Sequence, residues 1–188
     1  MNFNKHLNLE GLHATFSPSQ SSWLRYDDDK AVDVYLNKKA SEMGTRLHAW
    51  AKETIDLGIK QPRSKKTIYS YVNDAIGFKM NTEGILFYSE RFFGSPDAIC
   101  FRNGTLRIHD LKTGKVGKIE SHMEQLEVYT ALFCLEYKVK PADIQIELRL
   151  YKNDEVIVWN PGVEDIVPIM DKIVHLNKLL EKLDREED

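Results

Sequence analysis

The pair Asn103-Gly104 is the feature that most constrains the fold, because it separates two short runs rich in β-branched and aromatic residues. Asn-Gly is typical of the two-residue turns of β-hairpins, whose backbone needs positive φ angles. The flanking runs, Ala98–Arg102 and Thr105–Leu111, are therefore predicted to pair as antiparallel strands. A β-sheet must lie at the centre of this part of the chain.

Apolar residues outside the hairpin recur mainly at helical spacing. This pattern predicts helices at about 41–57, 68–76, 120–137 and 164–185. A short helix is also expected after the start signal Ser17-Pro18, where Ser17 can cap and Gln20 can complete a capping box. Further strands are predicted over 85–93, 144–151 and 156–159.

This order of elements predicts a mixed α/β (α+β) fold, in which helices flank a central mixed β-sheet. A chain of 188 residues fits one domain. We expect a single domain with a helical N-terminal part, a core and a C-terminal helix, over about 1–80, 81–160 and 164–185.

The composition is that of an ordinary globular protein, with 42% hydrophobic and 29% charged residues, which excludes a disordered or collagen-like chain. No apolar run approaches the roughly 18 to 20 residues needed to cross a bilayer, and the polar start lacks the apolar segment of a signal peptide. A cytoplasmic protein with no membrane partner is expected. Two cysteines, Cys100 and Cys134, are too few for a cysteine zinc site or an iron–sulfur cluster.

The net charge of −3 conceals a basic segment. Residues 37–66 carry eight basic and three acidic side chains. A local basic surface is what binding to a phosphate polymer requires. Charged runs are also commonly solvated faces, so the pattern alone leaves both interpretations open.

Two aspartates are predicted to meet at the open end of the hairpin. The register that puts Ile99 opposite Ile108 also puts Asp97 opposite Asp110. Carboxylates at that distance repel each other, and a hard divalent cation between them would remove the conflict. Lys112 follows Asp110 by two residues and is expected on the same face. The alternative is a surface hairpin on which Lys112 simply pairs with the carboxylates.

Further motifs extend this pattern along the chain. In order, they are Gly44-Thr45-Arg46-Leu47-His48, Gly94-Ser95-Pro96-Asp97, Asp110-Leu111-Lys112-Thr113-Gly114, and the pair Gln125 and Tyr129 on the next predicted helix. Their order and spacing resemble the PD-(D/E)XK nuclease superfamily. Within it they are similar to RecB-like exonuclease domains and to the mitochondrial genome maintenance exonuclease family. The motifs cover under half of the chain.

The resemblance implies a restriction-endonuclease-like core and a divalent metal site. His48, Asp97 and Asp110, with the backbone carbonyl of Leu111, would hold Mg²⁺ or Mn²⁺. Asp97, Asp110 and Lys112 would be the catalytic residues, and Lys112 would orient or help deprotonate the attacking water. Carboxylate oxygens suit hard cations, and the histidine favours acceptance of Mn²⁺ as well.

The resemblance also implies contacts to DNA. Gln125 and Tyr129 would line the binding groove. Lys115 and Lys118 follow the Asp-x-Lys strand closely enough to contact phosphates, although glycine-lysine stretches are also ordinary loop composition. Arg46, in the basic segment, is a further candidate contact to DNA. The alternative for Gln125 and Tyr129 is a helix that packs against the core.

The function expected from these residues is that of a metal-dependent DNA exonuclease. It would act on single-stranded DNA or DNA ends in replication, recombination or repair, in the host cytoplasm if the protein is viral. No Walker-type phosphate loop is present, so ATP is not expected as a cofactor. The alternatives are a structure-specific or restriction-type endonuclease, and an inactive nuclease fold that binds DNA or a replication or recombination protein.

Overall fold

The computed structural model describes residues 7–9, 11, 13–114 and 118–187 of the chain. These residues belong to two compact units, Met1–Arg46 and Leu47–Asp188. No helix within the described ranges is long and apolar enough to span a membrane.

The N-terminal unit is helical. It contains the 3₁₀ helices Leu7–Leu9 and Pro18–Arg25 and the beginning of helix α1 (Asp28–Asp56). The helix at Pro18 was predicted, but the hydroxyl of Ser17 does not cap it. Helix α1 begins thirteen residues earlier than the predicted start at residue 41, because Asp27 caps it by accepting a hydrogen bond of 2.8 Å from the Lys30 N–H.

The unit Leu47–Asp188 combines helices and strands. After α1, its elements are α2 (Thr67–Phe78), β1 (Asn81–Thr82), β2 (Leu86–Ser89), β3 (Phe92–Gly94), β4 (Ala98–Arg102), β5 (Thr105–Lys112), α3 (Ile119–Tyr137), the 3₁₀ helix Pro141–Asp143, β6 (Gln145–Lys152), β7 (Glu155–Trp159) and α4 (Val163–Glu187).

The predicted mixed α/β fold is confirmed. A five-stranded sheet has the order β1-β4-β5-β6-β7 and is flanked by helices. β5 and β6 are parallel, with α3 as the connection between them, and the other neighbours are antiparallel. The hairpin register is also confirmed, since Ile99 faces Ile108 across a turn in which Asn103 and Gly104 have φ angles of 51° and 74°.

The strand predicted over 85–93 is wrong in one respect, because it is two strands. β2 and β3 form a separate two-stranded sheet with an irregular register between Phe87 and Ser89. Glu90 consequently lies in the turn between them and not on a strand that leads to the site. Helix α2 is longer than predicted and continues through Gly77 to a left-handed residue, Lys79, at φ 53°.

Alternating side chains of the sheet build a core on each face. On one face, Leu106 and Ile108 of β5 pack with residues of α3 and α4 such as Leu126 and Ile166. On the other face, a second cluster joins β5 to the α2 side. The second cluster contains Ala51, Ile55, Tyr71, Val72, Ala75, Met80, Ala98, Cys100, Leu111 and Tyr151. Asp110 and Lys112 follow Leu106 and Ile108 at intervals of two residues along β5. Their side chains therefore lie on the same face of the sheet, which is the one that packs against α3, at the carboxyl end of the strand.

Candidate active site

The carboxyl end of β5 holds an aspartate and a lysine in direct contact. The Nζ atom of Lys112 lies 3.0 Å from Oδ1 and from Oδ2 of Asp110, and it donates a hydrogen bond to Oδ1. The Asp110 side chain is only 4% exposed. Its Oδ2 accepts no hydrogen bond from the part of the chain that the structure describes. One buried carboxylate oxygen thus has a lysine near it but no aligned donor.

The electrostatic environment of Asp110 disfavours the ionised form of its carboxyl group. Burial raises its pKa, and the neighbouring charge of Asp97 raises it further. The ammonium of Lys112 and the imidazole of His48 lower the pKa and offset only part of this effect. A cation bound next to Asp110 would therefore stabilise the charged carboxylate.

Asp97 joins the hairpin to helix α1. It lies one residue before β4, beyond the last ladder pair of Ala98 with His109. Its Oδ2 accepts a hydrogen bond of 2.8 Å from the N–H of Leu111, the residue after Asp110. The Nδ1 atom of His48 is 3.5 Å from the same oxygen. The carboxylate of Asp97 thus lies at the carboxyl end of β5, where Asp110 is also found.

His48 is placed by the C-terminal half of α1 and is half-buried. The close contact with Asp97 raises the pKa of the imidazole, and the negative charges of Asp97 and Asp110 act in the same direction. Burial and the charge of Lys112 oppose this shift and do not cancel it. His48 therefore serves as a positively charged neighbour of the carboxylates over a wider pH range than an ordinary histidine.

Helix α3 extends the site through Gln125 and Tyr129, which lie one turn apart. Lys112 Nζ donates to Gln125 Oε1 at 3.3 Å, and Gln125 Nε2 donates to the hydroxyl of Tyr129 at 3.2 Å. The ring of Tyr129 packs against the core at the same time. The ring thus packs against the core, as the alternative interpretation expected, while the polar atoms of the pair reach Lys112. A role of Gln125 and Tyr129 in lining a DNA groove stays a prediction.

The close packing around Gly94 explains why the motif has a glycine before Asp97. A Cβ atom at this position would lie 2.9 Å from Cε1 of Tyr129, closer than packed carbon atoms approach. The ring of Tyr129 occupies the space that any other side chain would need. Gly94 is thereby linked to Gln125 and Lys112 through Tyr129.

Three further residues were predicted to contact DNA. Lys118 is exposed and directly precedes α3. Arg46 is exposed on α1 in the N-terminal unit. Lys115 lies outside the described residues. The contacts of these three residues with DNA remain predictions from the sequence.

Two residues beside the site were not identified from the sequence. Lys152, at the end of β6, is the direct ladder partner of Lys112, and its Nζ lies 3.3 Å from Nε2 of His122 on α3. His122 precedes Gln125 by three residues, so both lie on one face of the helix. The helical spacing of His122, Gln125 and Tyr129 could have indicated His122 from the sequence. The position of Lys152 beside Lys112 follows only from the parallel register of β5 and β6.

A divalent metal ion fits part of this arrangement. Within the described ranges, no cluster of three or more His, Cys, Asp or Glu side chains is ready to hold a metal ion. Mg²⁺, however, is commonly held by one or two carboxylates together with substrate phosphates and water. Asp110, whose buried Oδ2 accepts no hydrogen bond from the described residues, and Asp97 beside it fit that mode of binding.

Comparison of the chain with family models, curated proteins and solved structures gives no match. The resemblance to PD-(D/E)XK nucleases therefore depends on the motifs alone. The chemistry of the arrangement is that of two carboxylates, one histidine and one lysine at the end of a strand pair.

Proposed function

We propose that the protein is a metal-dependent nuclease that hydrolyses phosphodiester bonds in DNA. The observation that supports this function best is the buried carboxylate of Asp110, which Lys112 approaches to 3.0 Å and whose Oδ2 accepts no hydrogen bond from the described residues. Burial raises the pKa of Asp110, and buried acids with perturbed pKa values are concentrated at functional sites.

Asp110 and Asp97 would hold Mg²⁺ or Mn²⁺, with His48 and the carbonyl of Leu111 as further ligands. When bound, the ion supplies a positive charge that neutralises phosphate oxygens and lowers the pKa of an attacking water. Asp97 is oriented for this role, since its carboxylate is held by His48 and by the N–H of Leu111.

Lys112 acts on the phosphate. Its ammonium group is held between Asp110 and Gln125, which reduces the number of orientations that it can adopt. A positioned ammonium stabilises the negative charge that increases on the phosphate oxygens in the transition state. Gln125 positions Lys112, and the hydroxyl of Tyr129 positions Gln125.

The substrate that we propose is single-stranded DNA or a DNA end, as for an exonuclease in replication, recombination or repair in the cytoplasm. The loop between α1 and α2 supports a nucleic-acid partner because its basic side chains are all exposed. They are Lys60, Arg63, Lys65 and Lys66. Positive charge of this kind binds the backbone without regard to base sequence.

Degradation of end-labelled linear single-stranded, linear duplex and closed circular DNA tests this function. The wild type is assayed with Mg²⁺, with Mn²⁺ and with EDTA, beside the variants Asp110→Asn and Lys112→Ala. Asp171→Asn and Lys172→Ala are matched controls, since both residues are exposed on α4. We expect loss of the linear strands only with metal, and rates at least about 100-fold lower in the two site variants.

Other outcomes would change the assignment. Cutting of closed circles would identify an endonuclease. Absence of cleavage by a folded protein that still shifts DNA in a gel would favour a binding protein and refute the proposed hydrolysis. Cleavage that persists in Asp110→Asn would show that the reaction takes place elsewhere.

A further inference from the structure

A second lysine lies next to the lysine of the candidate site. Lys152 is paired with Lys112 in the parallel register of β6 and β5, so the two side chains leave the sheet on the same face. Lys112 contacts Asp110, whereas Lys152 contacts the imidazole of His122. Positive charge therefore extends from the carboxylates toward β6. Ligands of open α/β sheets commonly bind outside the carboxyl ends of parallel strands, where both lysines are found.

His122 is held in one orientation by this contact. An ammonium group can only donate, so Lys152 Nζ donates to Nε2 of His122 and the imidazole proton is on Nδ1. Burial and the charges of Lys112 and Lys152 lower the pKa of His122, which keeps the imidazole neutral. Nδ1 has no hydrogen-bond partner among the residues that the structure describes. A neutral N–H donor is thus available on a ring that is partly exposed.

We propose that His122 binds a DNA phosphate next to the one that is cleaved, through its Nδ1–H, and that Lys152 is the positioning residue behind it. This inference rests on the proposed nuclease function. Lys152 is only 4% exposed, which suits a residue that orients another and not one that contacts the strand itself. His122 and Gln125 share one face of α3, so the same helix would serve two successive phosphates of one strand.

Binding of a fluorescein-labelled oligothymidylate in EDTA tests the subsite without cleavage. His122→Ala removes the donor, whereas His122→Asn keeps an N–H close to the position of Nδ1. Lys152→Met removes the positioning ammonium, and Lys152→Arg retains a cationic donor. His175→Ala on the exposed side of α4 is the matched control. The dissociation constant is measured by anisotropy, and kcat and KM are measured with Mn²⁺.

We expect His122→Ala and Lys152→Met to weaken binding about tenfold, which is the effect of losing one hydrogen bond to a charged group. KM should rise by a similar factor while kcat changes little, because the contact is made equally in the ground state and the transition state. His122→Asn and Lys152→Arg should restore most of the affinity. A role of Lys152 in folding alone would lower thermal stability and leave KM unchanged.

The inference is overturned if folded His122→Ala binds as tightly as the wild type, or if His122→Asn binds as weakly as His122→Ala. If Lys152→Met does not fold, the two His122 variants decide the question, since that ring is partly exposed. Failure of this inference is separate from failure of the nuclease proposal. If the wild type cleaves DNA and His122→Ala has the same KM, only the His122 subsite is refuted. If the wild type binds DNA through His122 but does not cleave it, only the proposed hydrolysis is refuted.

Discussion

Lys112 approaches both carboxylate oxygens of Asp110 to 3.0 Å, yet the pKa of this buried acid remains above its ordinary value. The cause is burial, to which the charge of Asp97 adds. A raised pKa means that the folded state favours the protonated acid. The resulting stability is fully present below the unfolded-state pKa and is lost as the pH rises through the folded-state pKa. At neutral pH the charged carboxylate therefore destabilises the fold.

Asp110→Asn should accordingly melt at a higher temperature than the wild type at neutral pH, although it should be inactive. Mn²⁺ should stabilise the wild type, by about 2.7 kcal/mol at a hundred times its dissociation constant, because it binds only the folded state. The same ion should hardly stabilise Asp110→Asn. Thermal unfolding with Mn²⁺ and with EDTA checks both statements. Equal stabilisation of the two proteins by Mn²⁺ would show that Asp110 is not a metal ligand.

Gly94→Ala should impair the site from a distance. The new methyl group would lie 2.9 Å from the ring of Tyr129, so the ring must move and carry its hydrogen bond to Gln125 with it. We expect a loss of about 1–3 kcal/mol in stability, as for overpacking elsewhere, and slower cleavage because Lys112 loses its support. Gly77→Ala is the control. It has open space around its Cβ in helix α2 and should stabilise by about 0.5–1 kcal/mol. Equal activity of both variants would contradict the link through Tyr129.

The central hairpin could be predicted because the residues that determine it are adjacent in the sequence. Asn103 and Gly104 determine the turn, the turn determines the register, and the register brings Asp97 and Asp110 to the same strand end. Alternation along β5 then places Lys112 beside Asp110. Helices α3 and α4 were also predicted nearly to their ends, because each has apolar residues at helical spacing.

The features that could not be predicted depend on contacts between distant segments. The parallel pairing of β5 with β6 leaves no local signal, so the position of Lys152 beside Lys112 was not foreseen. β1 has only two residues and is a strand only because Asn81 and Thr82 pair with β4. The break between β2 and β3 at Glu90 lacks the glycine or asparagine that commonly marks a turn.

The affinity for Mn²⁺ should rise with pH through the titration of His48. The close contact with Asp97 raises the pKa of His48, so the imidazole retains its proton to a higher pH than usual. The stability from this charged pair is present below the unfolded-state pKa and is lost as the pH rises through the folded-state pKa. A metal ion at Asp97 needs a neutral imidazole and must displace this proton.

Titration calorimetry with Mn²⁺ between about pH 6 and 8 measures this dependence, since histidine changes its charge in that range. His48→Asn removes the imidazole. This variant should bind Mn²⁺ more weakly, and its affinity should change little between about pH 6 and 8. A wild-type affinity that is independent of pH would contradict the assignment of His48 as a ligand. An equally steep dependence in His48→Asn would assign the proton to another group.

His109 occupies the opposite face of β5 from Asp110 and is fully buried. Tyr151 donates its hydroxyl proton to Asp74 at 2.7 Å, and Nδ1 of His109 lies 3.2 Å from the same hydroxyl oxygen. Nδ1 therefore donates to Tyr151, and Nε2 is left as a bare acceptor, which has no hydrogen-bond partner among the described residues. The ring also meets Phe78 edge to face. Burial and the charges of Arg149 and Arg107 favour the neutral form.

Acid should therefore destabilise the protein through His109. Burial, with the charges of Arg149 and Arg107, lowers its pKa from 6.5 to about 3. Between these values the unfolded chain binds a proton that the folded chain excludes, so stability falls as the pH decreases, by up to about 1.4 kcal/mol per pH unit. His109→Asn keeps a donor to Tyr151 but cannot titrate. Urea unfolding of both proteins from about pH 7 to 4 compares the slopes, since the other titrating groups are common to both. The free energy of unfolding of the wild type should fall more steeply, and parallel slopes would mean that His109 gains its proton without unfolding.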